Sequence, residues 1–374
     1  MKKYLKTVLL AGVLLIAGKT GAQELTIERL NDAKPIITAE TFTKAGYPEE
    51  DGENINGPCL VKLPKWLKKQ DRVSPKAKYY LYFAHHKGKY LRLAWSEKIT
   101  GPYHMVEDSP LYGAKEDAVY QLKEKLQPIG LTSIRSHVAS PMVVVDNEAK
   151  IFKLYFHSPT ILNRTGKNIG QKTYYATSQN GLDFQHNVAP MYLGDYYFSP
   201  FEVNGRWYAF ANHGYLYRAP RQGETSLKKD ADTEKAIWEE RRDFFEESIT
   251  TYCRANDIDP LLSVRHLAQV QIGKQLHIFF SCREDSPERM YHTVCDLTNG
   301  SWKDWKAGKM ELVMKAEMPW EGCTLEAGKS KGGSAKKALN EVRDPFIYQE
   351  KDELYLLYCA GGEKGIGIAR LTID

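Results

Sequence analysis

The sequence lacks the marks of several common protein classes. Its six cysteines form no CxxC pair, which is the usual signature of a structural zinc site. After residue 22, no apolar run is long enough to span a bilayer. The formal net charge is only +5 over 374 residues, so bulk charge gives no reason to expect a nucleic-acid partner. These absences argue against a zinc-binding domain, an integral membrane protein and a basic nucleic-acid-binding protein.

The first 22 residues have the three regions of a secretory signal peptide. Lysines precede an apolar run over 8–17, and small residues follow up to Ala22. We therefore predict a signal peptide over 1–22 and a mature chain over 23–374 that is secreted or periplasmic and does not insert into a membrane. Cleavage would lower the net charge from +5 to +1, because four lysines leave with the signal: Lys2, Lys3, Lys6 and Lys19.

The cysteines leave two interpretations open. Cys295 and Cys359 lie inside apolar segments, where a free cysteine behaves as a small buried hydrophobic residue. One or two disulfides remain an alternative in an oxidising compartment.

A two-strand phrase recurs five times in the mature chain. Each copy has an apolar or small-residue strand, a short polar turn and an aromatic strand, and the copies are spaced by roughly 55 to 80 residues. Repeated units of this kind cannot bury their own faces alone and stack on one another. The aromatic strands are 80–83, 153–156, 207–210, 276–279 and 355–358. Five small antiparallel sheets predict an all-β fold, a single five-bladed β-propeller.

The two ends of the chain are predicted to close the ring. The sequence ends on a strand over 366–371, which is only the third strand of its blade. Residues 25–30 could supply the missing fourth strand, and closure would remove an exposed sheet edge. The charged stretch 225–256 is predicted as a short helical insertion on the surface.

Propeller geometry places many polar residues on one face. If each inner strand starts at one rim of the central channel, the second strand runs back and ends at that rim. Six of the ten histidines fall at these positions, as expected for a functional pocket. The residues before the inner strands are Asn56, Arg135, His137, Tyr196, Tyr197, Arg265, His266, Arg343 and Asp344. Those after the second strands are His85, His86, Lys87, His157, Asn212, His213, Arg283, Asp285 and Glu363.

Several phrases resemble those of known enzymes. They are Tyr-Tyr-Leu-Tyr-Phe at 79–83, Leu-Ala-Trp-Ser at 93–96 with Thr-Gly-Pro-Tyr at 100–103, Tyr-Ala-Thr-Ser at 175–178, and Arg-Asp-Pro-Phe-Ile at 343–347. This set is similar to the glycoside hydrolases of families 43, 32 and 117. Those enzymes are five-bladed propellers whose inner strands often begin with Asp-Pro. The resemblance implies a carbohydrate substrate and a site in the central funnel.

The departures from this pattern affect the catalytic positions. Those families place a base carboxylate at the start of the first inner strand, where this chain has Asn56, and an amide cannot act as a general base. The second and third blades offer His137 and Ser199 at the corresponding positions. Only Asp344 retains the Asp-Pro form. The usual catalytic assignments therefore do not transfer.

Glycoside hydrolysis ordinarily needs two carboxyl groups that flank the scissile bond. The rim offers Asp344, Glu341, Asp285 and, in a nearby loop, Glu321. We predict Asp344 as the base and Glu321 as the acid. His137 or His266 could replace the acid, because imidazole titrates near neutrality. The other rim residues are predicted to bind the substrate: Asn56, His85, His86, Arg135, His157, Tyr197, Asn212, His213, Arg265, Arg283, Asp285 and Arg343.

Two other functions remain open from the sequence. The rim arginines could bind a uronate carboxylate or a sulfate, and Tyr197 or His137 could act as the base of a polysaccharide lyase. The third alternative is a glycan-binding protein without catalysis. No motif requires a cofactor, although the histidines with Asp344 could bind a divalent cation in the channel.

Overall fold

Five antiparallel sheets make up the computed structural model of the chain, which describes residues 25–86, 88, 90–106, 127, 131–133, 137–163, 165–184, 189, 192–220 and 237–373. Each sheet contains a four-stranded antiparallel meander, and two of the sheets have one further short strand each. The sheets are the five blades of a β-propeller. The predicted fold class is confirmed, and each predicted aromatic strand is the second strand of its blade. The signal peptide predicted over 1–22 lies outside the described residues.

The strands of each blade run outward from the channel in the order inner, second, third and outer. Blade 1 consists of Asn56–Lys62, Tyr79–Ala84, Arg92–Ser96 and His104–Met105. Blade 2 consists of Ala139–Asp146, Ile151–Leu162, Asn168–Ser178 and Gly194–Asp195, with Leu131–Ser133 paired to its second strand. Blade 3 consists of Ser199–Val203, Arg206–Ala211, Tyr215–Arg218 and Glu239–Arg241. Blade 4 consists of Ser263–Ile272, Gln275–Arg283, Met290–Asp296 and Glu311–Met314.

The N-terminal strand closes the ring, as predicted. Blade 5 consists of Val342–Glu350, Glu353–Ala360, Gly365–Ile373 and the outer strand Leu25–Arg29. Thr26 pairs with Thr372 and Arg29 with Ala369. A short strand, Ile37–Thr38, also pairs with the third strand. The chain therefore joins its two ends within one sheet, which covers an edge that would otherwise be open.

The helix predicted over 225–256 is wrong for part of its extent, and 225–236 lies outside the described residues. Over 237–256 the α-helix covers Glu246–Ala255, and Glu239–Arg241 is the outer strand of blade 3. The helix buries Ile249 and Cys253 against the apolar cluster of blades 3 and 4, so its length follows this apolar face and not the run of charge. A second α-helix, Ala39–Thr43, precedes blade 1. Short 3-10 helices lie at Asn31–Ala33, Glu49–Gly52, Lys69–Asp71, Asn212–Gly214 and Pro319–Glu321.

The core lies within and between the blades. Alternate residues of the second strands pack on neighbouring sheets, and Phe83, Phe279 and Leu357 are fully buried. All six cysteines are free, and five of them are buried, so the interpretation as small hydrophobic residues is confirmed over the disulfide alternative. No helix among the described residues has both the length and the apolar character needed to cross a membrane.

Candidate functional site

The starts of the inner strands and the ends of the second strands meet at one rim, as the sequence predicts. Their registers pair Asn56 with Ala84, Ala139 with His157, and Ser263 with Arg283. Blades 3 and 5 do the same, with Ser199 opposite Phe210 and Val342 opposite Ala360. This rim is the mouth of the central channel.

Irregular strand starts give this rim its shape. The register shifts within the first residues of four inner strands, between Asn56/Cys59, Ala139/Met142, Val264/Leu267 and Arg343/Phe346. A β-bulge bends a strand and redirects its side chains. Three of these bulges contain a proline, which cannot donate to the ladder and is tolerated at such positions: Pro58, Pro141 and Pro345. The bulged residues therefore line the channel mouth.

Asp344 and His266 form a contact pair at the centre of the mouth. Nδ1 of His266 contacts Oδ1 of Asp344, and the backbone N–H of Gly57 donates to Oδ2 at 3.2 Å. Asp344 is buried and has a φ of 53°, in the left-handed region that costs energy for most residues. Such strain is often found at functional sites, where the surrounding structure enforces it.

The pKa shifts of this pair have opposing causes. Burial alone would raise the pKa of Asp344, but His266 and the positive charges of Arg343 and Arg265 hold it well below its usual range. Burial lowers the pKa of His266, against the opposite effect of Asp344. At neutral pH the pair is therefore a carboxylate beside a neutral imidazole. The carboxylate favours the tautomer with the proton on Nδ1, which leaves Nε2 as a proton acceptor.

A series of ring contacts leads from His266 toward blades 2 and 3. The ring centroids of Tyr197 and His266 are 3.6 Å apart, and those of Tyr197 and Tyr196 are 4.6 Å apart. His157 contacts Tyr197 at 5.4 Å and His137 at 5.6 Å. Burial lowers the pKa of His137 to about 4 and that of His157 well below its usual value. This side of the mouth therefore presents neutral hydrogen-bonding rings.

Two buried arginines hold a set of carboxylates behind the mouth. Nη2 of Arg343 lies 2.6 Å from Glu363, and its Nε lies 3.2 Å from Glu341. Nη1 of Arg265 lies 3.1 Å from Glu288. Burial raises the pKa of Glu341 to about 7, although Arg343 opposes this shift. Both arginines are therefore already paired, which does not fit the substrate-binding role predicted for them.

Blade 1 forms one corner of the channel mouth, which is made of amide and imidazole side chains. Nδ1 of His86 lies 2.9 Å from Glu363, and its backbone N–H donates to Asn54 at 2.7 Å. The Asn56 amide also donates to Asn54, at 3.0 Å. Burial would raise the pKa of Glu363, but Arg343 and His86 hold it at about 2. His85 is half-buried beside this corner, and burial lowers its pKa to about 4.

Blades 3 and 4 contribute a cation at the far side of the mouth. The guanidinium of Arg283 donates to Oδ1 of Asn212 and, at 3.3 Å, to the Tyr196 hydroxyl. Nδ1 of His213 lies 2.9 Å from the Ser263 hydroxyl, and the His213 side chain is exposed. Arg283 is half-buried.

Glu321 is a correction to the sequence prediction. Its side chain is fully buried, and its Oε1 accepts from Nε of Arg29 and from the Tyr358 hydroxyl, both at 2.7 Å. Its Oε2 accepts from Arg29 at 2.9 Å and from the backbone of Glu317 and Met318. Burial would raise the pKa of Glu321, but these donors lower it. A carboxylate that is held ionised, with donors bonded to both of its oxygens, does not fit the role of an acid. We therefore interpret Glu321 as a structural residue of blade 5.

Asp285 is likewise turned away from the channel. It accepts from Arg289 at 2.6 Å and from the Tyr291 hydroxyl at 2.8 Å, and it is buried. Its predicted contact with substrate does not fit these bonds.

Arg135, also predicted to bind substrate, lies outside the described residues. Glu288 and Asn54 were missed by the sequence analysis, because neither lies at a strand start or end where the repeat pattern points.

Below the mouth the channel is lined mainly by the aliphatic and aromatic residues of the inner strands. The lower part is a cavity of about 340 Å³ with walls that include Leu60, Val143 and Phe346. Ser199 and Gln269 form a polar bridge across it, with a Ser199 Oγ to Gln269 Oε1 distance of 3.0 Å. Within the described part of the chain, no group of three histidine, cysteine or carboxylate side chains could hold a metal ion. The polar chemistry is therefore concentrated at the mouth.

Comparison with known proteins places the fold. No protein-family profile matches the sequence. An uncharacterized protein of Acanthamoeba polyphaga mimivirus is 28% identical over 323 residues, which cover 85% of this chain and 83% of that protein. A candidate glycoside hydrolase of Bacteroides ovatus superposes with a TM-score of 0.52 at 11% identity, over 92% of this chain and 95% of that one. A thermostable family-43 glycoside hydrolase gives a TM-score of 0.47 at 12% identity, over 86% of this chain and 89% of that one.

The chain has a glycoside-hydrolase-like propeller fold. At these identities the structural matches concern the fold alone, and they agree with the resemblance found in the sequence.

Proposed function

We propose that this chain is an exported glycoside hydrolase that binds its glycan at the mouth of the central channel. The observation that carries the proposal is the contact between His266 and Asp344 at the mouth, where the Tyr197 ring lies against the imidazole. In this proposal Asp344 orients His266 and stabilises its protonated form. Neutral His266 accepts through Nε2 a proton from the water whose oxygen bonds to the anomeric carbon, and as imidazolium it can donate this proton to the glycosidic oxygen as the old bond breaks.

The charge around this pair supports hydrolysis over elimination. Four buried carboxyl groups, those of Asp344, Glu288, Glu341 and Glu363, surround two guanidinium groups. Even with Glu341 protonated, these six groups carry one more negative than positive charge, and Arg283 lies on the other side of the mouth, beyond Tyr196 and Tyr197. The transition state of glycoside hydrolysis resembles an oxocarbenium ion, which is positive, and a preorganised negative site stabilises it.

A polysaccharide lyase is the second candidate function. The Tyr197 and His266 rings are within contact distance, and such a pair could remove the proton beside a uronate carboxylate. Partial burial raises the pKa of Tyr197 to about 12, so the tyrosine would enter as a neutral phenol and His266 as the base. Elimination builds negative charge, which the surrounding carboxylates oppose.

The test is product analysis on a panel of plant, algal and host glycans, with the mature chain and three variants. Asp344→Asn and His266→Gln should lose turnover by on the order of 10²-fold or more. His104→Gln is the matched control, because this exposed histidine lies on the outer strand of blade 1. New reducing ends without unsaturation support hydrolysis, and absorbance from an unsaturated uronate supports the lyase. Retention of glycan without turnover by any form would indicate a binding protein and overturn both candidates.

A further inference from the structure

We propose that Arg283 forms an anion-binding subsite beside the His266–Asp344 pair and selects glycans with a carboxylate or sulfate group. The proposal rests on the proposed function for the location of the glycan. It adds the class of substrate, an acidic sugar, which the fold does not specify.

Arg283 differs from the other described arginines of the rim in its partners. Arg265 and Arg343 are buried and lie within 3.1 Å and 2.6 Å of the carboxylates of Glu288 and Glu363. Among the described residues, the Arg283 guanidinium bonds only to neutral acceptors, the Asn212 amide and the Tyr196 hydroxyl. These acceptors orient the side chain and leave its positive charge without a counter-ion in this part of the chain.

The acidic residues that follow Arg283 in the sequence are paired with other cations. Glu284 lies 2.8 Å from Nζ of Lys329. Asp285 lies 2.6 Å from Nη2 of Arg289 and also accepts from Tyr291. The two carboxylates that follow Arg283 in the sequence thus bind other cations. A half-buried, oriented guanidinium of this kind matches the planar oxygens of a carboxylate or sulfate.

The position of Arg283 fits a sugar next to the one at the catalytic pair. Arg283 contacts Tyr196, whose ring contacts Tyr197, and the Tyr197 ring in turn contacts the imidazole of His266. Two aromatic side chains therefore connect Arg283 to the catalytic pair, and a sugar bound at that pair would have its neighbour on the Arg283 side. His213 lies on the same side of the mouth. If the Ser263 hydroxyl donates to its Nδ1, the proton of a neutral His213 lies on Nε2.

The experiment measures binding by calorimetry, so it does not depend on turnover. The probes are oligogalacturonate and its methyl ester, and galactose 6-sulfate and galactose, each pair differing in charge. The proteins are wild type, Arg283→Gln, Arg283→Lys and the control Arg242→Gln, a mostly exposed arginine that is paired with Glu240. All variants are first checked for wild-type circular dichroism and unfolding midpoint.

We expect wild type to bind the charged member of at least one pair roughly tenfold more tightly than its neutral partner, since a charge-assisted hydrogen bond is lost with the charge. Arg283→Gln should abolish this preference and leave affinity for the neutral probe unchanged, Arg283→Lys should retain part of it, and Arg242→Gln should retain it fully. Which pair shows the preference distinguishes a carboxylate from a sulfate.

Equal affinity for charged and neutral probes in wild type, a preference that survives in Arg283→Gln, or no binding of any probe would each overturn the subsite. Failure of the proposed function has a different signature, namely charge-selective binding through Arg283 with no bond cleavage in any glycan.

Discussion

Replacement of Glu321 by glutamine should destabilise the fold strongly, because this carboxylate ties the closing strand to the rest of blade 5. Arg29 lies on that strand, and its guanidinium bonds to both oxygens of Glu321. Only 12% of the Arg29 side chain and none of the Glu321 side chain is exposed. Breaking a buried ion pair by removing one partner costs about 3–5 kcal/mol. Because Arg29 keeps its contact with Glu317, we expect a loss of about 3 kcal/mol in the free energy of unfolding, the lower end of this range.

Glu317 supplies a matched control on the same arginine. Its carboxylate lies 2.7 Å from Nη1 of Arg29, but half of its side chain is exposed. An exposed ion pair of this type contributes about 0–1 kcal/mol, so Glu317→Gln should be nearly neutral. In a double-mutant cycle with Arg29→Met, the Glu321→Gln change should cost less than in wild type, since the buried charge it leaves behind has been removed.

The assay is urea unfolding followed by tryptophan fluorescence, for which Trp320 is a local reporter. Its ring stacks on Tyr358, which itself donates to Glu321. The donors lower the folded-state pKa of Glu321 below its unfolded value of about 4.3. Its stabilisation is therefore present above about pH 4.3 and is lost as the pH falls through the folded-state pKa. The gap between wild type and Glu321→Gln should narrow in acid.

A Glu321→Gln variant no less stable than Glu317→Gln at pH 7 would refute this account of ring closure. Loss of turnover in a Glu321→Gln protein of unchanged stability would instead restore the acid role predicted from the sequence.

Three further predictions follow from the buried groups. Asp344→Asn should lower kcat by on the order of 10²- to 10⁴-fold with little change in KM, and full activity would contradict the role of the pair. A thiol reagent should label only Cys323 in the native protein and all six cysteines after denaturation, because the other five are buried; faster labelling at a second site would contradict this. Burial lowers the pKa of His292 to about 4, so the unfolded state binds more protons below pH 6.5 and stability falls as the pH drops toward 4. His292→Phe should reduce this slope by up to about 1.4 kcal/mol per pH unit, measured as unfolding free energy against pH, and an unchanged slope would contradict it.

The architecture was readable from the sequence because its signals are local and repeated. Aromatic strands after short turns mark the second strand of each blade. The segment 366–371 is only the third strand of its blade, which predicts a fourth, and Leu25–Arg29 is that strand. The gathering of His157, His266 and Asp344 at one mouth follows from strand direction alone. These inferences need no knowledge of side-chain orientation.

The roles of individual side chains were not readable in the same way. A bulge such as that between Val264 and Leu267 adds a residue to one strand, so strict alternation no longer predicts which side chain faces the channel. Glu321 lies one loop away from the rim residues in sequence, yet its side chain turns to Arg29, a partner 292 residues distant. The sequence pattern carries no information on a contact of that kind, and charge alone made Glu321 resemble a catalytic acid.

An amide at position 56, where the sequence resemblance implies a base carboxylate, fits the hydrogen bonds of the mouth. The Asn56 amide bonds to Asn54, which accepts the His86 backbone, and His86 contacts Glu363. A carboxylate at position 56 would lie against the Asn54 oxygen with no hydrogen to donate to it. It would also add a negative charge beside Glu363, and this repulsion would raise the free-energy cost of ionising it. In the proposed function, proton transfer falls to blades 4 and 5, where a bulge in each strand brings His266 against Asp344. The Asn56 amide on blade 1 and this imidazole–carboxylate pair are then two parts of the same electrostatic arrangement at the mouth.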